Sequence, residues 1–235
     1  MKFNIYAWKG RLFPTFISII IPIMIFNHFF ACEELGKFIG NVFDAKIISN
    51  ITISMVLLYY LSEVGRFFGK HIFENIYFKD ESKMPTTQLL MFKDKTYSED
   101  YKNKIHSRIF NDFNIRLPTK TEEESDDNLV RRKIIETMSL IKNKLHNNSF
   151  LLQHNIEYGA MRNTIGGAIL GVLFSIINIV FFSIYLKVNL AVYISIFTLF
   201  IYLMLILFSK TILTFYGNNY AKILYREYLG GKSKT

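Results

Sequence analysis

Long stretches of apolar residues without acidic or basic side chains divide the chain. Three of them exceed the roughly 20 residues that a helix needs to cross the hydrocarbon core of a bilayer. A fourth, shorter stretch is followed directly by Glu63 and Arg66, whose side chains can reach the interface from the end of a span. Continuous apolar runs favour helices over the strands of a closed barrel. The pattern therefore predicts four transmembrane helices, within residues 12–32, 47–62, 163–186 and 188–209.

The polar stretch between the second and third spans has the pattern of a mainly helical domain. Ser98 can cap a helix with apolar residues every four positions, and a second apolar stripe at helical spacing begins near residue 134. Residues 86–92 can form a short strand or an extended segment. Residues 119–127 form an acidic linker that we expect to be exposed. The two stripes consist of Ile105, Ile109 and Phe113, and of Ile134, Met138, Ile141 and Leu145.

The predicted fold is an all-α integral membrane protein with four transmembrane helices in two hairpins and a mainly helical cytoplasmic domain between them. The segment 66–162 carries 17 Lys and Arg against 14 Asp and Glu, so most of the net charge of +9 lies near the membrane ends. Because cytoplasmic flanks are enriched in Lys and Arg, we expect both termini in the cytoplasm. The expected parts are a first transmembrane hairpin (1–66), a cytoplasmic sensor or assembly domain (67–161), a second transmembrane hairpin (162–210) and a basic cytoplasmic tail (211–235).

Composition restricts the chemistry that the chain can carry. Of its 235 residues 51% are hydrophobic and 16% are aromatic, as lipid-facing helices allow. The single cysteine, Cys32, excludes an intrachain disulfide. The histidines lack metal-ligand spacing, no nucleophile–base pair stands out, and a Gly-rich phosphate loop is missing. The acidic linker could bind a cation, although such runs are more often solvated. We therefore expect neither an enzyme nor a cofactor or metal site.

Polar and small residues within the third span point to packing or to a pore. Asn178 lies in the middle of the span, and Ser175 and Ser183 lie close to it in sequence. An amide at this depth faces protein or water, so these residues either line a pore or form an interhelical hydrogen bond. Two pairs of glycines at a spacing of four favour close helix approach, between chains or within one. These pairs are Gly65 with Gly69, and Gly167 with Gly171.

Basic side chains cluster on the predicted central helix. Arg131, Arg132 and Lys133 lie at its start, where positive charge opposes the helix dipole, and Lys142 and Lys144 lie near its end. A binding site for an anionic partner would explain why cations occupy this unfavourable position at the start of the helix. The alternative is that they form ion pairs with the acidic linker. A second basic group comprises Lys102, Lys104 and Arg108, and lipid headgroups are a further possible partner for the flanking cations.

Three short motifs of the chain are distinctive. The first runs from Glu157-Tyr158-Gly159-Ala160-Met161-Arg162-Asn163 through Gly166-Gly167 into the third span. The others are Pro85-Thr86-Thr87 followed by Leu89-Leu90, and Leu117-Pro118 before the acidic linker. Together they resemble bacterial four-span channel effectors of the Hailong anti-phage defence system. The resemblance implies a homo-oligomeric pore in the bacterial inner membrane. It also implies a DNA oligomer, made by a partner nucleotidyltransferase, that holds the pore closed until infection.

The resemblance implies that Arg162 and Asn163 lie at the mouth of the third span, where Arg162 would face phosphate or lipid headgroups. The basic clusters are the other candidate nucleotide-binding residues, chosen from charge and position. A membrane-anchored adaptor that docks a partner through its cytoplasmic domain is the alternative function. A small transporter is a third hypothesis, although the sequence shows neither an inverted repeat nor a pair of broken helices.

Overall fold

The structure is a computed structural model that describes residues 8–26, 28–29, 59–79 and 81–231. Within these residues the regular structure is helical throughout, as the all-α prediction requires. Short π-helical segments occur at Trp8–Leu12, Phe68–Glu74 and Phe182–Leu186. The α-helices are α1 (Phe13–Phe26), α2 (59–67), α3 (Asn75–Phe78), α4 (Pro85–Gln88), α5 (Glu99–Phe113), α6 (Lys120–Ser125), α7 (Asp127–Lys144), α8 (Ser149–Phe181), α9 (Asn189–Leu207) and α10 (Ser209–Gly230).

Two helices among the described residues are long and apolar enough to cross a membrane, namely Ser149–Leu186 and Asn189–Leu207. They contain the predicted third span and all but the ends of the predicted fourth span. In their most apolar windows only 28% and 22% of the residues are buried, so both helices present mostly exposed apolar surface. Helix α1 is apolar but shorter, and most of the predicted second span, residues 47–58, lies outside the described residues. The structure therefore contains two candidate spans.

The chain forms two compact units. The first comprises residues 1–73 and 159–210, and the second comprises residues 74–158 and 211–235. The segments in which the two hairpins are predicted thus fall in one unit. Residues 211–235, which we predicted as a separate tail, belong to the second unit together with the polar central segment.

The first unit is assembled through glycines at helix crossings. A Cβ atom on Gly166 of α8 would lie 2.0 Å from the carbonyl oxygen of Gly65 and 2.5 Å from the backbone nitrogen of Gly69. A Cβ atom on Gly167 would lie 3.0 Å from the side chain of Ser18 in α1. Both predicted glycine pairs therefore contribute to packing within one chain, where small residues let backbones approach.

The second unit has a core formed by α5, α7 and α10 and by the loop after α4. The predicted cap of α5 is confirmed, since the Ser98 hydroxyl accepts a hydrogen bond from the backbone N–H of Tyr101. Both predicted apolar stripes face this core, in which Phe113 and Leu145 are partly buried. The buried residues include Leu90, Met91, Ile105, Ile109, Ile134, Met138, Ile141, Leu224, Tyr225 and Tyr228.

The acidic segment 119–127 is mostly exposed, as expected, but it forms helix α6 instead of a linker, and one of its acids is buried. Thr119 and Glu122 form a reciprocal capping box at its start. Glu123 is only 1% exposed, and its carboxylate accepts hydrogen bonds from the backbone N–H groups of Phe92 (2.6 Å) and Lys93 (2.8 Å). A buried acid thus ties the acidic segment to the loop after α4. Spacing gave no sign of which of the consecutive acids would be buried.

Two further expectations need correction. Residues 86–92 form neither a strand nor an extended segment, because Pro85 starts the short helix α4 and turns follow it. Residues 211–230 are no tail, since they belong to α10, whose Leu224, Tyr225 and Tyr228 are almost fully buried in the core. The basic residues had suggested a solvated segment, but the apolar and aromatic residues between them supply a core-facing side.

Candidate functional site

A line of buried polar residues runs between α8 and α9 in the first unit. A Cβ atom on Gly171 would meet the ring of Tyr202 at 2.7 Å, and the hydroxyls of Ser175 and Thr198 lie 3.3 Å apart. These contacts define an antiparallel register that also places Asn178 opposite Ser195. We call this line the polar seam; it comprises Gly171, Ser175, Asn178, Ser195, Thr198 and Tyr202, all of them buried.

Hydrogen bonds join only some of the groups in the polar seam. The Thr198 hydroxyl donates to the carbonyl of Ser195 at 3.0 Å, so Ser175 must be the donor in its bond to Thr198. The Asn178 side-chain amide donates to the carbonyl of Pro22 in α1 at 2.8 Å. The hydroxyls of Ser195 and Tyr202 are buried and have no hydrogen-bond partner within the part of the chain that the structure describes.

The three predicted pore-lining residues do not share one environment in this chain. Ser175 and Asn178 lie in the polar seam, and Asn178 makes the interhelical hydrogen bond that was the alternative to a pore lining. Ser183 is exposed, and its hydroxyl donates to the carbonyl of Val180. The sequence analysis missed Ser195, Thr198 and Tyr202. Their spacing of three and four residues, on the helix that a tight turn joins to α8, was the signal that could have found them.

The motif residues Arg162 and Asn163 lie in the first unit. Asn163 is fully buried, and its amide donates to the carbonyl of Gly10 at 2.7 Å. Its own carbonyl accepts a hydrogen bond from the Thr15 hydroxyl at 3.3 Å. Arg162 is partly buried, and its Nε donates to the Asn163 side-chain oxygen at 3.4 Å. Asn163 therefore joins α8 to the start of α1.

Of the predicted basic residues on α7, two form ion pairs with acidic side chains. Arg131 forms an ion pair with Asp127 at 2.7 Å and donates to the carbonyl of Ser82 at 2.7 Å. This is the pairing with the acidic segment that was the alternative to an anion site. Lys144 pairs with Asp112 at 2.6 Å. Arg132 and Lys133 are exposed and Lys142 is partly buried, and the structure shows no ion pair for these three among the described residues, whereas Lys144 is exposed but paired.

The predicted second basic group is split between the two sides of α5. Lys104 and Arg108 line a groove of about 720 Å³ together with Asp100, Asn103, Ser107, Asn111, Asp112 and Leu229. Two carboxylates balance the two cations there. Arg108 also donates to the carbonyls of Leu229 (3.0 Å) and Gly231 (2.5 Å), so its guanidinium binds the end of α10.

Lys102 points into the core on the other side of α5. Its ammonium donates to the carbonyls of Met91 (2.6 Å) and Asp94, and burial lowers the pKa of this group. Burial, with the nearby Lys102 charge, also lowers the pKa of His106 to about 4. Lys102 and Glu123 hold the loop after α4 from both sides, one through carbonyls and the other through amides. These charges are structural.

Within the described part of the chain no group of three metal-ligating side chains occurs. Comparisons of the chain with protein families, with curated proteins and with solved structures find no match. The features of the described residues that bear on function are the polar seam, the exposed cations and the apolar helix surfaces.

Proposed function

We propose that this chain is an oligomeric membrane channel effector of bacterial anti-phage defence, embedded in the inner membrane with both termini in the cytoplasm. The polar seam is the observation that carries the proposal. A helix that serves only as an anchor needs no Ser, Thr, Asn or Tyr inside it, and burying a polar group in hydrocarbon is costly. Six aligned seam positions, two of them with unpaired hydroxyls, fit a polar path better than they fit an anchor.

The gating ligand that we propose is an anionic nucleotide or DNA oligomer, made by a partner nucleotidyltransferase, which holds the channel closed. Arg132, Lys133 and Lys142 support this part, because they are the predicted cations on α7 for which the described residues provide no ion pair. Arg131 and Lys144 are left out, since Asp127 and Asp112 already bind them. Release of the ligand opens the channel and depolarises the membrane.

Ion flux from liposomes tests the channel. Purified protein in vesicles loaded with a potassium-sensitive dye should release potassium faster than empty vesicles do. An oligonucleotide bound through phosphates should slow the release, and its effect should weaken steeply with salt because binding releases counterions. An R132A/K133A double variant should leak but resist inhibition. As a matched control, Glu136→Ala on the same helix removes an exposed acid and should preserve inhibition. Vesicles that release no potassium would refute the channel.

A membrane-anchored adaptor is the second candidate. The second unit exposes large apolar side chains, among them Phe110 (51%) and Leu129 (48%), which favours contact with another protein. An adaptor would bind its partner whether or not ions flow, and F110A and L129A variants should then lose the partner while ion flux is unaffected. If both variants still bind the partner, Phe110 and Leu129 do not form its docking site.

A further inference from the structure

The two unpaired hydroxyls of the polar seam lie at different depths. Ser195 and Tyr202 are seven residues apart on α9, which corresponds to about 10 Å along the helix axis. The bonded pair Ser175 and Thr198 lies between them. The seam therefore presents polar groups over about a third of a hydrocarbon core of about 30 Å.

The polar seam ends at an apolar residue, Phe182. Phe182, one helical turn beyond Asn178, is fully buried and lies opposite Ala191 in the same antiparallel register. Its ring packs edge-on against Phe29 with a centroid distance of 5.9 Å, and Ile25 completes the cluster. Phe182 also begins the π-helical segment Phe182–Leu186, where the regular hydrogen-bond pattern of α8 changes. Such segments are frequent at functional sites.

We propose that the polar seam binds water within a single chain, at the hydroxyls of Ser195 and Tyr202, and that Phe182 is the hydrophobic gate at its end. A buried hydroxyl without a partner loses its hydrogen bonds to water, and a bound water restores them. The permeating species that suits this lining is water with small cations, because the ligands are neutral oxygens and no charged ring is present among the seam residues. Apolar constrictions of this kind gate by excluding water.

This inference rests on the proposed membrane channel, and it goes further in placing the polar path between two helices of one chain. A pore formed only around an oligomer axis would leave the seam dry. The seam would then be static packing that water does not reach.

Cysteine accessibility separates these outcomes. In a Cys32→Ser background, Ser195→Cys and Ser175→Cys place a thiol in the seam on α9 and α8. Ile196→Cys and Ile176→Cys are the matched controls, because Ile196 and Ile176 are the next residues, at nearly the same depth, and are 49% and 46% exposed on the outer surfaces. A charged methanethiosulfonate reacts with the thiolate, which forms only where water reaches it. The seam thiols should react at least about tenfold faster than their controls.

Equal, slow reaction of seam and control thiols in both pairs would overturn the inference. If one seam variant does not fold, the other helix still gives a complete comparison. Phe182→Ala should raise the reaction rate of Ser195→Cys several-fold, and an unchanged rate would refute the gate. Potassium flux is measured on the same samples. Dry seam thiols with normal flux would refute this inference alone, whereas hydrated thiols without flux would refute the proposed channel alone.

Discussion

Replacement of Gly166 by alanine tests the glycine crossing on which the first unit depends. The new Cβ atom would lie 2.0 Å from the Gly65 carbonyl oxygen and 2.9 Å from the Gly69 Cα atom. Favourable contacts between carbon atoms require about 3.5–4.0 Å. All the atoms in the way belong to backbone, so no side-chain rotation can relieve the clash. Helix α2 must therefore move away from α8 by about 1.5 Å.

Two opposing contributions decide whether Gly166→Ala stabilises or destabilises the protein. Overpacking in a well-packed interior costs about 1–3 kcal/mol, and separating the helices also loses the close contact of Gly65 with Thr15 and Gly167. Alanine regains about 1 kcal/mol of helix propensity. We therefore expect a net loss of about 2 kcal/mol, which is a change of more than tenfold in the folding equilibrium.

Tryptophan fluorescence can follow this change, because Trp8 is the only tryptophan in the chain. It lies in the segment Trp8–Leu12, whose Gly10 carbonyl binds Asn163 of α8. Protein in mild detergent is titrated with sodium dodecyl sulfate, and the variant should unfold at a lower fraction of that denaturing detergent. Gly230→Ala is the matched control, because nothing lies within 4 Å of its Cβ position. If Gly166→Ala is as stable as wild type while the control behaves as expected, α2 and α8 do not cross at these glycines.

Three further predictions concern the second unit, with thermal unfolding as the measurement. Glu123→Gln replaces one of the two carboxylate oxygens that accept from the Phe92 and Lys93 amides by an NH2 donor, and should lower the free energy of unfolding by about 2 kcal/mol. Glu124→Gln is the control, because Glu124 is exposed, and it should change stability little. The pKa of His106 is about 4 in the folded chain and 6.5 in the unfolded chain, so the unfolded state takes up the proton first as pH falls. The free energy of unfolding should therefore fall by up to about 3 kcal/mol between pH 6.5 and about 4. His106→Leu should remove this pH dependence, and an unchanged profile would contradict the assignment. Asp112→Asn should cost about 2 kcal/mol, since Lys144 and Tyr228 both bind its carboxylate, and no loss would refute that role.

Hydrophobic patterning predicted the two helices whose apolar stripes face the core of the second unit, because a stripe depends only on local spacing. The stripe containing Ile134, Met138 and Ile141 is buried as its period required, and Ser98 caps α5 as its position indicated. Spacing cannot distinguish between acidic residues that follow one another. Burial of Glu123 depends on two amides some thirty positions earlier in the chain, so no window around residue 123 contains the cause. The same holds for Lys102, whose partners are carbonyls that only the folded loop brings together.

The polar seam follows from the sequence only when the two apolar runs are aligned with each other. Within its own run, Asn178 has only Ser175 and Ser183 as polar neighbours. Two spans joined by a tight turn must lie antiparallel, and each residue before the turn then faces one at a matching distance after it. That pairing places Ser175 opposite Thr198 and Asn178 opposite Ser195 before any coordinates are known. A single amide in one span fits a pore lining and an interhelical hydrogen bond about equally well. Opposed polar residues in both spans favour a hydrated path, and cysteine accessibility is the direct measurement of it.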